Sequence, residues 1–216
     1  EERLVGIVTV DDAIDVIQEE TTEDMEMMAA ISPSDKPYLK TGVFTTWKQR
    51  VPWLLLLMIS ATFTSTIIAS YEGALATSVV LTGFIPMLMD TGGNAGSQSS
   101  ITVIRGLSLG EIRYRDVPRL VGKELCVAVL CGLSLAAANF IKLMLVDRVT
   151  LPVAAVVSLT LVCVVLVSNF VGSVLPVLAK RIGFDPAVMA SPFITTIVDA
   201  VALIIYFNIA KLLLGI

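Results

Sequence analysis

Five long apolar blocks constrain this chain more than any other feature. They cover residues 51–70, 74–100, 120–146, 152–178 and 187–214. At about 1.5 Å of rise per residue, each is long enough to cross a hydrocarbon core of about 30 Å. The apolar residues come as blocks rather than one-sided stripes. With 56% hydrophobic residues and a mean hydropathy of +0.86, the composition is that of an integral membrane protein, not a soluble domain. Five crossings place the two termini on opposite sides. The second block is the least apolar, because its last third is polar and glycine-rich.

Charge divides the chain sharply. Residues 1–35 hold eleven of the nineteen acids and one base, Arg3, a local net charge of −10, whereas the remainder carries +6. The bases fall in alternate loops: Lys48 and Arg50 before the first block, then Arg105, Arg113, Arg115, Arg119 and Lys123, then Lys180 and Arg181. By the positive-inside rule these loops and the N-terminus are cytoplasmic, and the C-terminus lies on the outer side. An acidic extramembrane part repels phosphates, which argues against nucleic-acid binding. The sequence has no histidine, which removes imidazole catalysis and the commonest transition-metal ligand. Cys126, Cys131 and Cys163 lie in apolar blocks without a CxxC pair, so disulfides and thiolate metal sites are not expected.

The N-terminal part reads as the end of an α/β unit. Leu4 to Val10 is a short β-branched run, and Asp11 and Asp12 precede a helical pattern of Ala13, Ile14, Val16 and Ile17. Thr21, Thr22, Glu23 and Asp24 resemble a capping box, predicting a second helix with Met25, Met28 and Ile31 on one side and Pro33 as its stop. Methionines at this spacing are ordinary packing residues rather than a copper site. The chain opens without Met inside this unit, which points to a fragment of a longer polypeptide.

Asp199 is the one charged residue between Pro186 and Lys211. A carboxylate near the membrane midplane costs roughly 3 kcal/mol on insertion scales, so such an acid faces a bundle interior, a wet path or a cation. The bland alternative is a neutral acid bonded to a neighbouring helix. At helical spacing Ser191, Thr195 and Thr196 share its side. The second block carries the most distinctive string, PMLMDTGGNAGSQSS from Pro86. Within it Asp90, Asn94 and Gln98 recur every fourth residue with Ser97 beside them, a continuous polar edge. Gly92 and Gly96 form a GxxxG step that lets a helix or a hydrated ion approach the backbone. The string is not a phosphate loop, having neither a preceding soluble strand nor a following Lys.

These stretches resemble the MgtE family of magnesium channels and transporters, over essentially the whole chain. LVGIVTVDDAIDVI from Leu4 is similar to the end of the second CBS motif, and Thr22, Glu23 and Asp24 to the start of a connecting plug helix. The string from Pro86 to Gly106 and that from Asp185 to Lys211 resemble the membrane signatures. The resemblance implies an all-α integral membrane fold with five transmembrane helices per subunit. They are preceded by a short remnant of an α/β CBS domain (1–18) and a connecting helix with linker (19–46), the pore domain covering 47–216. It implies a homodimer in the plasma (inner) membrane with one central pore between the second and fifth helices, Mg²⁺ being both substrate and regulatory ligand. By the same resemblance, Asp199 is the pore acid. Asp90, Gly92, Gly93, Asn94, Gly96, Ser97, Gln98, Ser191 and Thr195 line the pore. Asp12, Asp15, Glu20, Glu23 and Asp24 match cation-sensing positions and Asp185 an acid at the cytoplasmic edge of the fifth helix, all of them candidate metal ligands, with solvated surface charge as the plain alternative. Some relatives have asparagine where this chain has Ser97 and Ser191.

Mg²⁺ is small and hard, demands octahedral oxygen coordination and dehydrates reluctantly. Few carboxylates and several neutral oxygen groups around a hydrated ion suit it. Ten net negative charges at the N-terminus repel one another unless cations sit between them, which suggests feedback closure by internal Mg²⁺. Two other classes compete: a broader carrier of Mn²⁺, Co²⁺ or Ni²⁺ coupled to an ion gradient, and an intramembrane enzyme using Asp199 and Asp90 as a pair.

Overall fold

The described residues of this computed structural model are 6–34, 37–73 and 78–215, apart from the side chain of Ser191. They form an all-helical molecule: α1 (Val10–Met28), α2 (Val43–Ser70), α3 (Ile85–Ser108), α4 (Val117–Leu145), α5 (Leu151–Arg181) and α6 (Ser191–Leu214). The last of these follows a short 3-10 turn at Pro186–Met189.

The N-terminal expectations need correcting. Residues 6–9 are exposed and form no strand, and Leu4 and Val5 lie outside the described residues. A strand must hand its N–H and C=O groups to a neighbour, and no strand exists among the described residues to receive them. The two expected helices are one. Thr9 caps α1 in a reciprocal box with Asp12, whereas Thr21 and Thr22 turn their hydroxyls back to Ile17 O (2.6 Å) and Gln18 O (2.8 Å). That bond to the preceding turn keeps the helix going where the sequence suggested a fresh start. The helix ends at Met28, before Pro33, through Ala30 in a left-handed conformation (φ 55°).

The membrane blocks become helices because they hold long apolar runs with prolines at first turns: Pro86, Pro118, Pro152 and Pro192 open α3, α4, α5 and α6. Among the described residues four segments are long and apolar enough to cross a membrane: Val43–Ser70, Tyr114–Leu145, Leu151–Arg181 and Pro186–Leu214. α3 is not among them, because its glycines, serines and amides dilute its hydropathy. The second block is also shifted. A 3-10 turn occupies Val79–Phe84, and α3 then runs past the expected end at 100 to Ser108.

α5 is the centre of the bundle and packs against α3, α4 and α6. Its contact with α3 is backbone to backbone: a Cβ on Gly172 would strike the carbonyl oxygen of Gly96. Gly132 brings α4 almost as near, since a Cβ there would stand 3.3 Å from Val162 Cα. Small residues are what let membrane helices approach, since apolar burial gains little over lipid. At one end a large cluster gathers Leu81, Leu88, Leu143, Val157, Leu203 and Phe207. Tyr206 donates its hydroxyl there to Leu81 O at 2.9 Å. At the other end Lys180 Nζ donates to Leu107 O (2.8 Å), closing the carbonyl end of α3. Met27 and Met28 of α1 pack there on Ile104, Ala187 and Ala190. α2 buries none of its residues and leans chiefly on α6. Its exposed Leu54, Leu55, Met58, Ile59 and Phe63 suit a lipid-facing span.

The backbone contact gives a direct test. Gly172→Ala forces α5 off α3 and costs about 1–3 kcal/mol by overpacking. Gly122→Ala in α4 meets no atom within 4 Å and gains up to about 1 kcal/mol in helix propensity. Thermal unfolding in detergent should separate the two in sign.

Candidate functional site

Three faces of α3 account for its odd composition. Gly92 and Gly96 face α5 and α6: a Cβ on Gly92 would lie 2.6 Å from Val164 and 2.8 Å from Val198, and one on Gly96 2.7 Å from Ile194. Gly93 lies against Thr195, whose Cγ2 would be 2.8 Å from its Cβ. Of the two visitors the glycine step admits, helices occupy it. Ser97, on the Gly93 flank, is buried. Asp90, Asn94 and Gln98 form the exposed edge, so the fourfold spacing read from the sequence holds as geometry.

α6 brings its acid to that edge. Packing of Gly93 on Thr195 and Gly92 on Val198 sets Asp199 beside Asp90, close enough for the two charges to interact. Asn94 Nδ2 donates to Asp90 Oδ2 at 3.2 Å. Asp199 is half-buried, as are Thr195 and Thr196. Both threonine hydroxyls donate to Pro192 O at 3.0 Å, which leaves their oxygens as acceptors. Ser191 opens α6, but its side chain is outside the described residues. The result is an oxygen-rich edge with two carboxylates and, among the described residues, no cationic residue bonded to either. Chemically it suits a cation that keeps its water shell better than a dry cage of ligands.

The acids of α1 and of the turn before α6 divide into two groups. Asp24 lies near Asp185, Glu20 and the Ser108 hydroxyl at the end of α3. Asp185 itself caps the 3-10 turn by accepting from Ala187 N at 2.7 Å. Partial burial, and then the charges of Asp185 and Glu20, push the Asp24 carboxyl above its ordinary range. Glu20 and Glu23 line a groove of about 670 Å³ between α1 and the following linker, with Arg50 on its far wall. Asp12 and Asp15 are apart from these acids, exposed near the start of α1. Asp12 is held below the usual range by the Thr9 hydroxyl and backbone N–H. Among the described residues no three acids, cysteines or histidines converge as a closed metal site.

Sequence reasoning missed a second polar region. Glu124 of α4 and Asn169 of α5 are nine-tenths buried beside a cavity of about 710 Å³ between α3, α4 and α5. The available signals were a lone acid and a lone amide inside apolar blocks, the kind of residue a membrane charges heavily for.

A bundle with four helices long and apolar enough to cross a membrane among the described residues, and paired carboxylates on one edge, defines a multi-pass membrane protein. The family model described as a divalent cation transporter, MgtE, matches residues 85–209, the stretch from the start of α3 into α6 that holds both walls of the carboxylate edge. The magnesium transporter MgtE of Thermus thermophilus is 39% identical over 221 aligned residues, covering 99% of this chain and 47% of that protein. The proteins of the same name from Enterococcus faecalis and Bacillus subtilis are each 35% identical, covering 98% and 96% of this chain and 46% and 45% of their own lengths. This chain belongs to the MgtE family of divalent cation transporters. It spans about half the length of the curated relatives it matches. The family is one of transporters, not enzymes.

The Asp24 cluster makes a prediction with a definite sign. Its folded-state pKa is raised above the unfolded value of 3.8. The packed state therefore binds the proton more tightly, and packing of α1 weakens as pH rises through 3.8 to the folded value, then levels off. Asp24→Asn removes that loss, so α1 in the variant should be better protected from amide exchange at neutral pH without divalent cations. Equal protection in parent and variant would show that like-charge repulsion at this cluster is negligible.

Proposed function

We propose that this chain is the pore-forming part of a Mg²⁺ transporter in the plasma membrane, with α3 serving as a fifth span beside the four apolar ones. The observation that carries the reading is the meeting of Asp90 and Asp199, with Asn94, on an edge left open to the outside of a single copy. A polar edge of this kind cannot face lipid cheaply. A second copy turning the same edge toward it closes the edge into a path, with two-fold symmetry setting Asp199 of each copy about one axis. The homodimer follows from that closure.

In the path the carboxylates draw a dication from water while Asn94, Gln98 and the threonine oxygens bond to its hydration shell. Carrying the ion hydrated avoids stripping Mg²⁺ of waters it gives up slowly. The buried glycines serve the path by bringing α3 and α6 together. The positive-inside pattern of the sequence supports a cytoplasmic N-terminus. Asp24, Asp185, Glu20 and Glu23 then face cytoplasmic Mg²⁺, with Asp12 and Asp15 adding to the field at the far end of α1. Bound cations relieve the repulsion at Asp24 and press α1 onto the turn that leads into α6, which provides feedback closure.

Proteoliposome flux tests both parts. Asp199→Asn should lower Mg²⁺ uptake by about tenfold or more, the equivalent of about 1.4 kcal/mol, with Mn²⁺ and Ca²⁺ as competing ions to rank selectivity. Uptake within twofold of the parent would remove Asp199 from the ion's path. Neutralising Glu20, Glu23, Asp24 and Asp185 together should shift inhibition by internal Mg²⁺ to higher concentration, and an unmoved dose response would end the sensor assignment.

A further inference from the structure

The cavity of about 710 Å³ between α3, α4 and α5 is lined by neither Asp90 nor Asp199. Glu124 is its one acid, and no Lys or Arg lines it. The ion pairs among the described residues are Arg115–Asp116 and Lys142–Asp147, so neither involves Glu124. Glu124 lies seven residues into α4, about 10 Å from the helix start, deep enough for an unpaired carboxylate to be costly. Its counter-charge must come from solution, as a proton or a cation.

The lining decides between them. Asn169 Oδ1 is buried without any hydrogen-bond partner, although Asn169 is only 6% exposed. Thr91, Thr102 and Ser134 have already donated their hydroxyl protons to Met87 O, Gln98 O and Leu130 O, at 2.8, 2.9 and 2.8 Å. What these groups still offer is lone pairs. A proton on Glu124 satisfies one acceptor at most, whereas a cation satisfies several at once. One formal negative charge amid neutral amide and hydroxyl oxygens balances one positive charge. A dication would leave one positive charge uncompensated among these neutral oxygens. The cavity is large beside the ~30 Å³ share of a water molecule, so the ion can keep part of its shell.

We propose that this cavity is a monovalent-cation site in which Glu124 supplies the charge, with Asn169 Oδ1 and the hydroxyl oxygens of Thr91, Thr102 and Ser134 as neutral ligands. Asn94 and Gln98 also line the cavity while belonging to the exposed edge of α3, so the site abuts the proposed Mg²⁺ path through shared side chains. Occupancy of one therefore bears on the hydration of the other.

The test uses the full chain in detergent with Asp199→Asn as the background, which weakens the other carboxylate site. Sodium NMR linewidths are followed during Na⁺ titration, with K⁺ and Mg²⁺ as competitors. The expected result is a saturable broadening that K⁺ displaces more effectively than Mg²⁺ and that falls at least threefold on adding Glu124→Gln. Asn169→Asp adds a second carboxylate and should turn the preference to Mg²⁺ by about tenfold or more. Loss of saturable broadening from the background protein itself overturns the proposal, whatever the variants do. So does broadening that survives Glu124→Gln in protein shown to be monodisperse. An infrared carboxylic-acid band at neutral pH that disappears in Glu124→Gln would assign the counter-charge to a proton and overturn it equally.

Discussion

The backbone contact between Gly96 of α3 and Gly172 of α5 is the constraint on which the rest of the bundle depends. It sets how closely α3 approaches α5, and α3 is the least apolar of the helices packed there, too polar to count as a span by composition. Once held there, α3 presents its glycines to α5 and α6 and turns its amides away from the contact. A side chain at either glycine would push α3 outward and carry Asp90 away from Asp199. The polar edge is thus a product of close packing elsewhere on the same helix. Ser99 adds to the hold by donating to Asn169 O at 3.2 Å, a bond from α3 straight to the backbone of α5.

Much of this architecture was legible because membrane helices are chosen by length and composition. The limits of α4 and α5 fall within a few residues of the apolar blocks. The edge of Asp90, Asn94 and Gln98 was legible for a different reason: spacing by four is a local property of one helix and needs no partner. Ser97 shows where that reasoning stops. It lies within a third of a turn of the edge, yet it is buried, because which flank is covered depends on where the neighbouring helix sits. The join within α1 was misread since threonine pairs serve equally as caps or as side chains bonded to the preceding turn. Glu124 escaped notice because, next to Lys123 at the start of a block, it resembles the boundary charges of any membrane helix.

The two polar regions divide the demands of charge between them. Two carboxylates on an open edge can attract a dication and release it, because water and a facing surface share the load. A single carboxylate nine-tenths buried beside a cavity, as Glu124 is, has fewer groups to share that load. α3 supplies both with the same row of side chains, its Gly93 flank against α6 and its Thr91 flank toward α4. A change of charge on either side of that row is felt by amides that belong to both.

The turn at Pro186–Met189 extends this coupling to the end of α1. Its backbone receives the Ser100 hydroxyl at Met189 O (3.2 Å), its first turn is capped by Asp185, and its far end runs directly into α6. Ala187 and Ala190 lie buried against Met27 and Met28 of α1. Whatever presses α1 onto this turn acts on α3 through Ser100 and on α6 through continuity of the chain. The acids near Asp24 and the Asp90–Asp199 pair are thus joined structurally through that one turn. Both helices that carry those acids are held by one turn, and that turn is where the acidic N-terminal helix docks.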